Sequence, residues 1–530
     1  MSDSQTPPVL DGLSQLEKAV IDAARRGTWA QPDTELEAEQ LASTEDLGLQ
    51  VRAELIRELL TGRRGELDPR GVLIRGVRVL GLLDLDNVNA VTGLALDGCA
   101  LPDGLTCRQA QLHHVDMRYS MLSALNAHGA RIDSDLILSD AHITCTSEDG
   151  ALRLLGAHIG GQLGLDRITI TNTTGSALHA DGVRVDSDLF LDDAHITCTS
   201  EDGALRLPGA HIGGQVGLDR ITITNTTGPA LHADRARIDS SLFLRDAHIT
   251  CTSEDGTIRL LGAHIGSQAD LARTQLTNES GPLMKLMETH VSGPLFLPAT
   301  LVCPRSRLEI GDRLCPDSTR RMVVGGLVFS QLGDISWRQW LHLLVHHTPE
   351  YRPQPYQQLA AVERSAGHDN NARFILITQQ DDLRRRVPDA FGGPVARWRH
   401  WLWGWLGRYG YRAQRLVTAL LIVLTLAGAT GYTAGEITTR PDHHTAERVQ
   451  PPTTPATAPG IPCSTAELIG LGIDRGLPLG ATGLRARCDL DTTTRWGQAF
   501  TYLLWTLQAL LWALATLTIA AYTGLIRKTT

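Results

Sequence analysis

From about Gly71 to Val302 apolar residues alternate with polar ones in short runs, as in Leu163, Leu165, Ile168 and Ile170. Gly, Asp, Asn and Ser interrupt the runs. Alternation with a period of two turns one face of a strand inward, and the interrupting residues suit corners. The pattern is repetitive on a longer scale. RIDSDLILSDAHITCTSEDGALRLLGAHIGG begins at Arg131, returns as RVDSDLFLDDAHITCTSEDGALRLPGAHIGG at Arg184, and returns as RIDSSLFLRDAHITCTSEDG at Arg237, a period of 53 residues. Each unit divides again, because residues 150–174 align with 175–202 through a shared Ala-Leu, a Gly, an Ile or Val, a Leu-x-Leu and an Ile-Thr. One unit therefore predicts two coils of about 25 to 28 residues. Strands this short cannot bury themselves in a flat sheet. Coiled and stacked, they enclose one apolar column while each backbone pairs with the coils above and below. The expectation is a mainly β chain, with a right-handed parallel β-helix (a β-solenoid) over 71–304.

The flanking pattern changes to helical spacing. Residues 1–70 predict a helical cap over the solenoid's end, with Asp11 as the N-cap of a helix carrying Leu13, Leu16, Val20, Ile21 and Ala24, and a second run at Val51, Leu55, Leu59 and Leu60. Residues 305–397 predict a helical hairpin region, its two runs meeting at Gly367. Leu416 to Ala434 is 19 residues without a charge, about 28 Å of helix and enough for a transmembrane span. A second span is predicted over 500–526, with 435–499 as the loop between them. Eight arginines from Arg384 to Arg415 precede the first span, and Arg527 and Lys528 follow the second. The positive-inside rule puts both flanks in the cytoplasm and the loop outside. The polar first residues, MSDSQTPPVLDG, lack the apolar stretch of a signal peptide, which agrees with a cytoplasmic N-terminus.

Residues 398–415 read as a helix at the membrane interface. Trp398, Trp401, Trp403, Trp405, Tyr409 and Tyr411 interleave with Arg397, Arg399, Arg408 and Arg412. Aromatic rings and snorkelling arginines suit the headgroup boundary, the alternative being a packed core helix. In the outer loop Cys463 and Cys488 bracket a short apolar segment of Leu468, Ile469, Leu471, Ile473 and Leu477. On an oxidising side two cysteines are most simply a disulfide, with free thiols or a redox pair as the alternatives.

The A-x-L-x-x and Gly-Ala-x-Ile patterns resemble the pentapeptide-repeat family and its longer-coiled relatives, which form right-handed parallel β-helices. The coiled repeat, the YQQLAAVERSAGHDNNAR hairpin, the WGWLGRYGYR approach and the spans ending in GLIRK together resemble actinobacterial membrane proteins of the pentapeptide-like class. That resemblance implies a multi-pass protein of the bacterial plasma membrane. It also carries the label "oxidoreductase", common among such relatives, and the example of pentapeptide-like rods that mimic DNA through an acidic face.

Composition and chemistry narrow the functional classes. The net charge is -9 and the pI near 6.1, which gives no general attraction to nucleic acid, and no direct nucleic-acid binding is expected. Residues 71–300 hold 27 acidic against 16 basic side chains, which serves either solubility or a basic protein partner. Histidines recur at His142, His195 and His248, at His158, His211 and His264, and at His179 and His232. Two coils separate equivalents by about 9.6 Å, too far for one metal ion. The same spacing keeps Cys145, Cys198 and Cys251 from forming disulfides. Asp166, Asp192 and Asp219 repeat with the coils as well. GLGIDRG at 470–476 has the wrong glycine spacing for a dinucleotide fingerprint, and P-loop, C-x-x-C, G-x-S-x-G and H-E-x-x-H motifs are absent. No catalytic, cofactor or metal residues are expected. The expectation is a scaffold in contact with membrane lipid and an unidentified cytosolic protein, compatible with a homo-oligomer. An enzyme, or an oligomeric pore or sensor hinted at by Thr506, Gln508 and Thr516, are the alternatives.

Overall fold

The structure is a computed structural model that describes residues 9–90, 92–304, 315, 319–409, 413–450, 459–476 and 486–522. The chain divides into two compact units, 1–375 and 376–530.

The first unit is a parallel β-solenoid of about nine turns with four sides, seen as parallel sheets of ten, ten, eight and eleven strands. We number the faces in the order the chain visits them from the HITC strand. On the first face His142 pairs with Thr169, Thr169 with His195, and His195 with Thr222, steps of 27, 26 and 27 residues. Two successive coils thus make up the 53-residue sequence period. Earlier coils are shorter: Ala100 pairs with Met121 and Met121 with His142, steps of 21 residues. The added length enters at one corner. Between the first and second faces, Met121 to Leu125 is a direct turn, whereas His142 to Leu152 holds a four-residue strand and the TSEDG loop.

Each face contributes one inward column. On the first face it is Leu122, Ile143, Ile170, Ile196, Ile223, Ile249 and Leu276, all buried and in register. Parallel pairing stacks like on like, so apolar side chains form continuous rows and strand amides pair one coil away, as Leu163 N does with Asp188 O at 2.9 Å. The alternation between coils has a cause at the TSEDG corner. Cys145, Asn172, Cys198, Asn225, Cys251 and Asn278 share one column. Asn225 is buried, and its Nδ2 donates to the Ser200 and Pro229 carbonyls at 2.8 Å while its Oδ1 accepts from Ser200 N at 3.0 Å. The amide closes the loop of the preceding coil. The cysteine in the next coil is a small filler, and burial pushes the Cys198 thiol up to about 12.

The corner from the fourth face to the first is left-handed at non-glycine residues, among them Asp140, Arg167, Asp193 and Arg220 at φ 61, 54, 59 and 55°. This conformation is unfavourable for L residues, Asp tolerating it better than Arg. A solvated fork between coils stands at the same corner: Arg220 donates to both carboxylate oxygens of Asp193 at 2.6 and 2.7 Å, and Arg167 to those of Asp140 at 2.7 Å.

The N-terminal end is closed by helices α1 (Gln15–Arg26), α2 (Ala38–Leu41) and α3 (Ala53–Leu60). Ser14, and not Asp11, caps α1. Its Oγ accepts from Glu17 N at 3.0 Å while Glu17 Oε2 accepts from Ser14 N at 2.9 Å, a reciprocal box that Asp11 lies too far upstream to form. Strand Gln50–Arg52 then pairs in parallel with Arg78–Leu80 and covers the first coil. At the other end the solenoid continues past its last repeat. After the short α4 (Ala299–Val302), strand Met322–Val323 adds to the second face and Gln331–Gly333 to the fourth. Helices α5 (Trp337–His346), α6 (Pro353–Ser365) and α7 (Asp369–Arg386) follow.

The second unit holds α8 (Pro394–Gly407), α9 (Ala413–Glu436), α10 (Thr465–Gly476) and α11 (Arg495–Tyr522). Two helices are long and apolar enough to cross a membrane, over Gln414–Glu436 and Arg495–Ala520. They pack through Leu416, Val423, Leu511 and Leu514, while Leu421, Ile422, Leu426, Leu503, Leu510 and Ile519 remain exposed.

Candidate functional site

Among the described residues, three features have chemistry beyond packing: the outer columns of the solenoid, the helical second unit, and a cluster at the solenoid's C-terminal end.

On the third face Arg131, His158, Arg184, His211, Arg237, His264 and His290 form one outward column. Histidine alternates with arginine until the last two, where the His264 and His290 rings stack with centroids 5.0 Å apart. Aspartates tie the rungs. Asp186 accepts from Arg184 Nε at 2.7 Å in its own coil and lies 2.8 Å from His158 Nε2 in the preceding coil. Asp239 does the same with Arg237 and His211 at 2.6 and 2.9 Å. The bond to His158, then that to Arg184, holds the Asp186 carboxyl below its ordinary range. The histidines therefore sit in mixed rungs that bind successive coils together.

The first face is different. Its outward residues are His142, Thr169, His195, Thr222 and His248 in one column and Thr144, Thr171, Thr197, Thr224, Thr250 and Thr277 in the next. From His142 to Thr277 neither run contains a carboxylate, lysine or arginine; the first column ends on Gln275 and carries Arg78 three coils before His142. The aspartates at the corner from the fourth face to the first have a structural use: Asp192 accepts from the Asp219 amide at 2.8 Å, and Asp219 accepts from the Arg245 amide and side chain. Burial raises the carboxyls of Asp166 and Asp192 above their ordinary values.

In the second unit, α8 has a sided surface. Val395, Trp398, Trp401 and Trp405 are exposed and fall on one stripe at helical spacing, with Arg397 and Arg399 at its two borders. Trp403 faces the other way, into a groove of about 600 Å³ lined also by Phe391, Arg399, His400 and Leu517. Tyr409 is buried, and its hydroxyl donates to Asp381 Oδ1 at 2.7 Å. Burial, then Asp381, pushes the phenol up. Arg408 lies 3.7 Å from Asp381. Tyr411, Arg412, Leu477, Arg527 and Lys528 lie outside the described residues.

Cys463 and Cys488 are joined as a disulfide with Cα atoms 6.3 Å apart, and Cys488–Leu490 pairs antiparallel with Ala446–Arg448. The segment between the two cysteines contains a helix, α10, that lies against α9. A Cβ on Gly472 would stand 2.0 Å from the Ala427 carbonyl oxygen, and one on Gly431 2.3 Å from that of Leu468. Only glycine permits this approach of the two backbones.

Where the repeat ends, four ligating side chains meet. Cys303, at the end of α4, lies with its Sγ 3.7 Å from that of Cys315 and 3.9 Å from His342 Nε2. One donor atom from each of Cys303, Cys315, His342 and His347 lies within 4.8 Å of the others, and all four residues are buried. His342 comes from the interior of α5 and His347 from its C-cap. None of these four is a candidate ligand from the sequence. A twelve-residue cysteine separation exceeds the usual zinc spacing, and His342 and His347 sit in an apolar helical run that reads as core. The legible trace was H-x4-H, which lies within the usual His–His spacing.

No family model, curated protein or solved structure matches the chain, and no relative therefore supports the oxidoreductase label that the sequence resemblance carries.

Proposed function

We propose that the chain is a non-enzymatic scaffold, held at a membrane by α9 and α11, whose solenoid presents the first face to a cytosolic protein partner. The single observation behind this reading is the pair of outward columns of threonine and histidine, repeated coil after coil without a fixed charge. Such a surface offers hydrogen-bond donors and acceptors at strand spacing over several coils. Neighbouring arginines are already committed to aspartates, so the rod suits a protein face better than a polyanion. Exposed leucines and isoleucines on α9 and α11 support insertion in lipid, and the tryptophan stripe of α8 with its bordering arginines supports a place at the headgroup level. Arginine-rich flanks support a cytoplasmic side for both termini, and the Cys463–Cys488 disulfide agrees with an outer, oxidising location for the loop.

The test is capture of the full-length chain from native membranes, in parallel with a Thr171→Arg/Thr197→Arg/Thr224→Arg variant. The proposal expects a reproducible set of co-captured proteins that the variant loses while its membrane fraction is unchanged. An identical set with both chains, or a stoichiometric flavin, haem or nicotinamide absorbance in the purified protein, would count against it.

A further inference from the structure

The cluster at the end of the solenoid has the chemistry of a closed metal centre. We propose that Cys303, Cys315, His342 and His347 bind one zinc ion that fastens the C-terminal cap onto the last coil.

The geometry fits a tetrahedron. With Zn–S near 2.3 Å and Zn–N near 2.0–2.1 Å, tetrahedral angles place two sulfurs about 3.8 Å apart and a sulfur and a nitrogen about 3.6 Å apart. The Sγ atoms of Cys303 and Cys315 are 3.7 Å apart, and Cys303 Sγ is 3.9 Å from His342 Nε2. A disulfide would need sulfurs about 2.04 Å apart, so the cysteines are set at the spacing of shared ligation and not of a bond. Two thiolates and two soft-to-borderline nitrogens in a compact site select zinc over the hard cations.

Tautomer and charge agree. His347 Nδ1 lies 2.7 Å from the Arg320 carbonyl oxygen, which can only accept, so the ring proton sits on Nδ1 and the lone pair on Nε2. A second hydrogen bond of this kind orients metal-bound histidines generally. When Zn2+ enters, both thiol protons leave to solvent, two Zn–S bonds and two Zn–N bonds form, and the assembly of two thiolates, two neutral imidazoles and one dication has no net charge. That neutrality suits a site in which the four residues are no more than 4 % exposed. Four protein ligands leave no position for water, so the centre is structural and not hydrolytic.

Its place in the fold supplies the role. Arg320, whose carbonyl orients His347, donates through Nη2 to Leu276 O at 3.1 Å and Leu301 O at 2.9 Å, and through Nε to Val302 O at 3.2 Å. Leu276 belongs to the last strand of the first face. Met322 N donates to His347 O at 2.8 Å, and Met322 opens the last strand of the second face. The ion therefore joins α4, Cys315 and α5 across the end of the rod, where the last coil's carbonyls would otherwise be open.

The experiment is metal analysis of the full-length chain purified in detergent without chelator. About one zinc per chain is expected, falling to background in Cys315→Ser and His347→Gln and unchanged in Cys145→Ser, which alters a cysteine of the repeat. To separate ligation from folding, the chelated protein is titrated with Co2+. Tetrahedral d–d bands are expected, and Cys315→His should keep them while losing about half of the thiolate-to-cobalt charge-transfer intensity. Background zinc with no cobalt spectrum, unchanged zinc in Cys315→Ser, or a Cys303–Cys315 disulfide in the protein as isolated would overturn the proposal.

Discussion

At its N-terminal end the solenoid borrows a strand, Gln50–Arg52, from a helical cap and locks it with a carboxylate. Arg52 reaches Glu17 through Nε at 2.8 Å and Nη2 at 2.6 Å, and Glu17 is 2 % exposed. At its C-terminal end two late strands are added, and the lock is Arg320 with the four-residue cysteine and histidine cluster. Both ends cover unpaired backbone that the interior coils satisfy through one another. The interior needs only repetition, whereas an end has no neighbour on one side and must use specific polar chemistry. Distinctive side chains therefore collect where the repeat fades.

That contrast can be broken in order of effect. Ile196→Ala removes a side chain from the middle of an inward column and should destabilise the central coils by about 4 kcal/mol in chemical denaturation, since a cavity there has coils on both sides. If it costs no more than a surface change, the column is not a packed core. Arg52→Ala strands the Glu17 carboxylate and should cost about 3 kcal/mol, seen as early exposure of the N-terminal cap to protease. Arg320→Met removes three carbonyl contacts at the opposite end and should cost about 2 kcal/mol there, leaving the N-terminal cap protected. Arg220→Ala should have no measurable effect on global unfolding, because its fork to Asp193 is solvated.

Acid should act on the N-terminal end through Glu17. Burial pushes this carboxyl up, but Arg52 and the Ser14 and Arg52 amides outweigh that and hold it below its ordinary value. A lowered folded pKa means the contribution is full above the unfolded value, about 4.3, and is lost as the pH falls through the folded one. Thermal unfolding of wild type should weaken below about pH 4, and Glu17→Gln should remove that part of the dependence. An unchanged profile in Glu17→Gln would contradict the assignment.

How far the sequence could be read follows the same division. The two-coil period was legible because Asn172, Asn225 and Asn278 alternate with Cys145, Cys198 and Cys251, which makes every second coil nearly identical. The shorter early coils were not, since 21-residue steps such as Ala100 to Met121 have no near-identical copy. The last strands escaped for a related reason: Met322–Val323 is two residues long, and its partner across the sheet, not its own pattern, makes it a strand. The approach of α10 to α9 depends on Gly431 and Gly472, which are forty-one residues apart in sequence and adjacent only in the fold. Cys303 and Cys315 likewise belong with His342 and His347 only after the cap has folded over the last coil.

Separate locks of different chemistry close the two ends of the solenoid. Hydrogen exchange of the full-length chain before and after zinc chelation tests this most directly. Chelation should deprotect amides 275–278 and 322–323 while amides 50–52 and 78–80 keep their protection. Loss at both ends together, or at neither, would contradict the account.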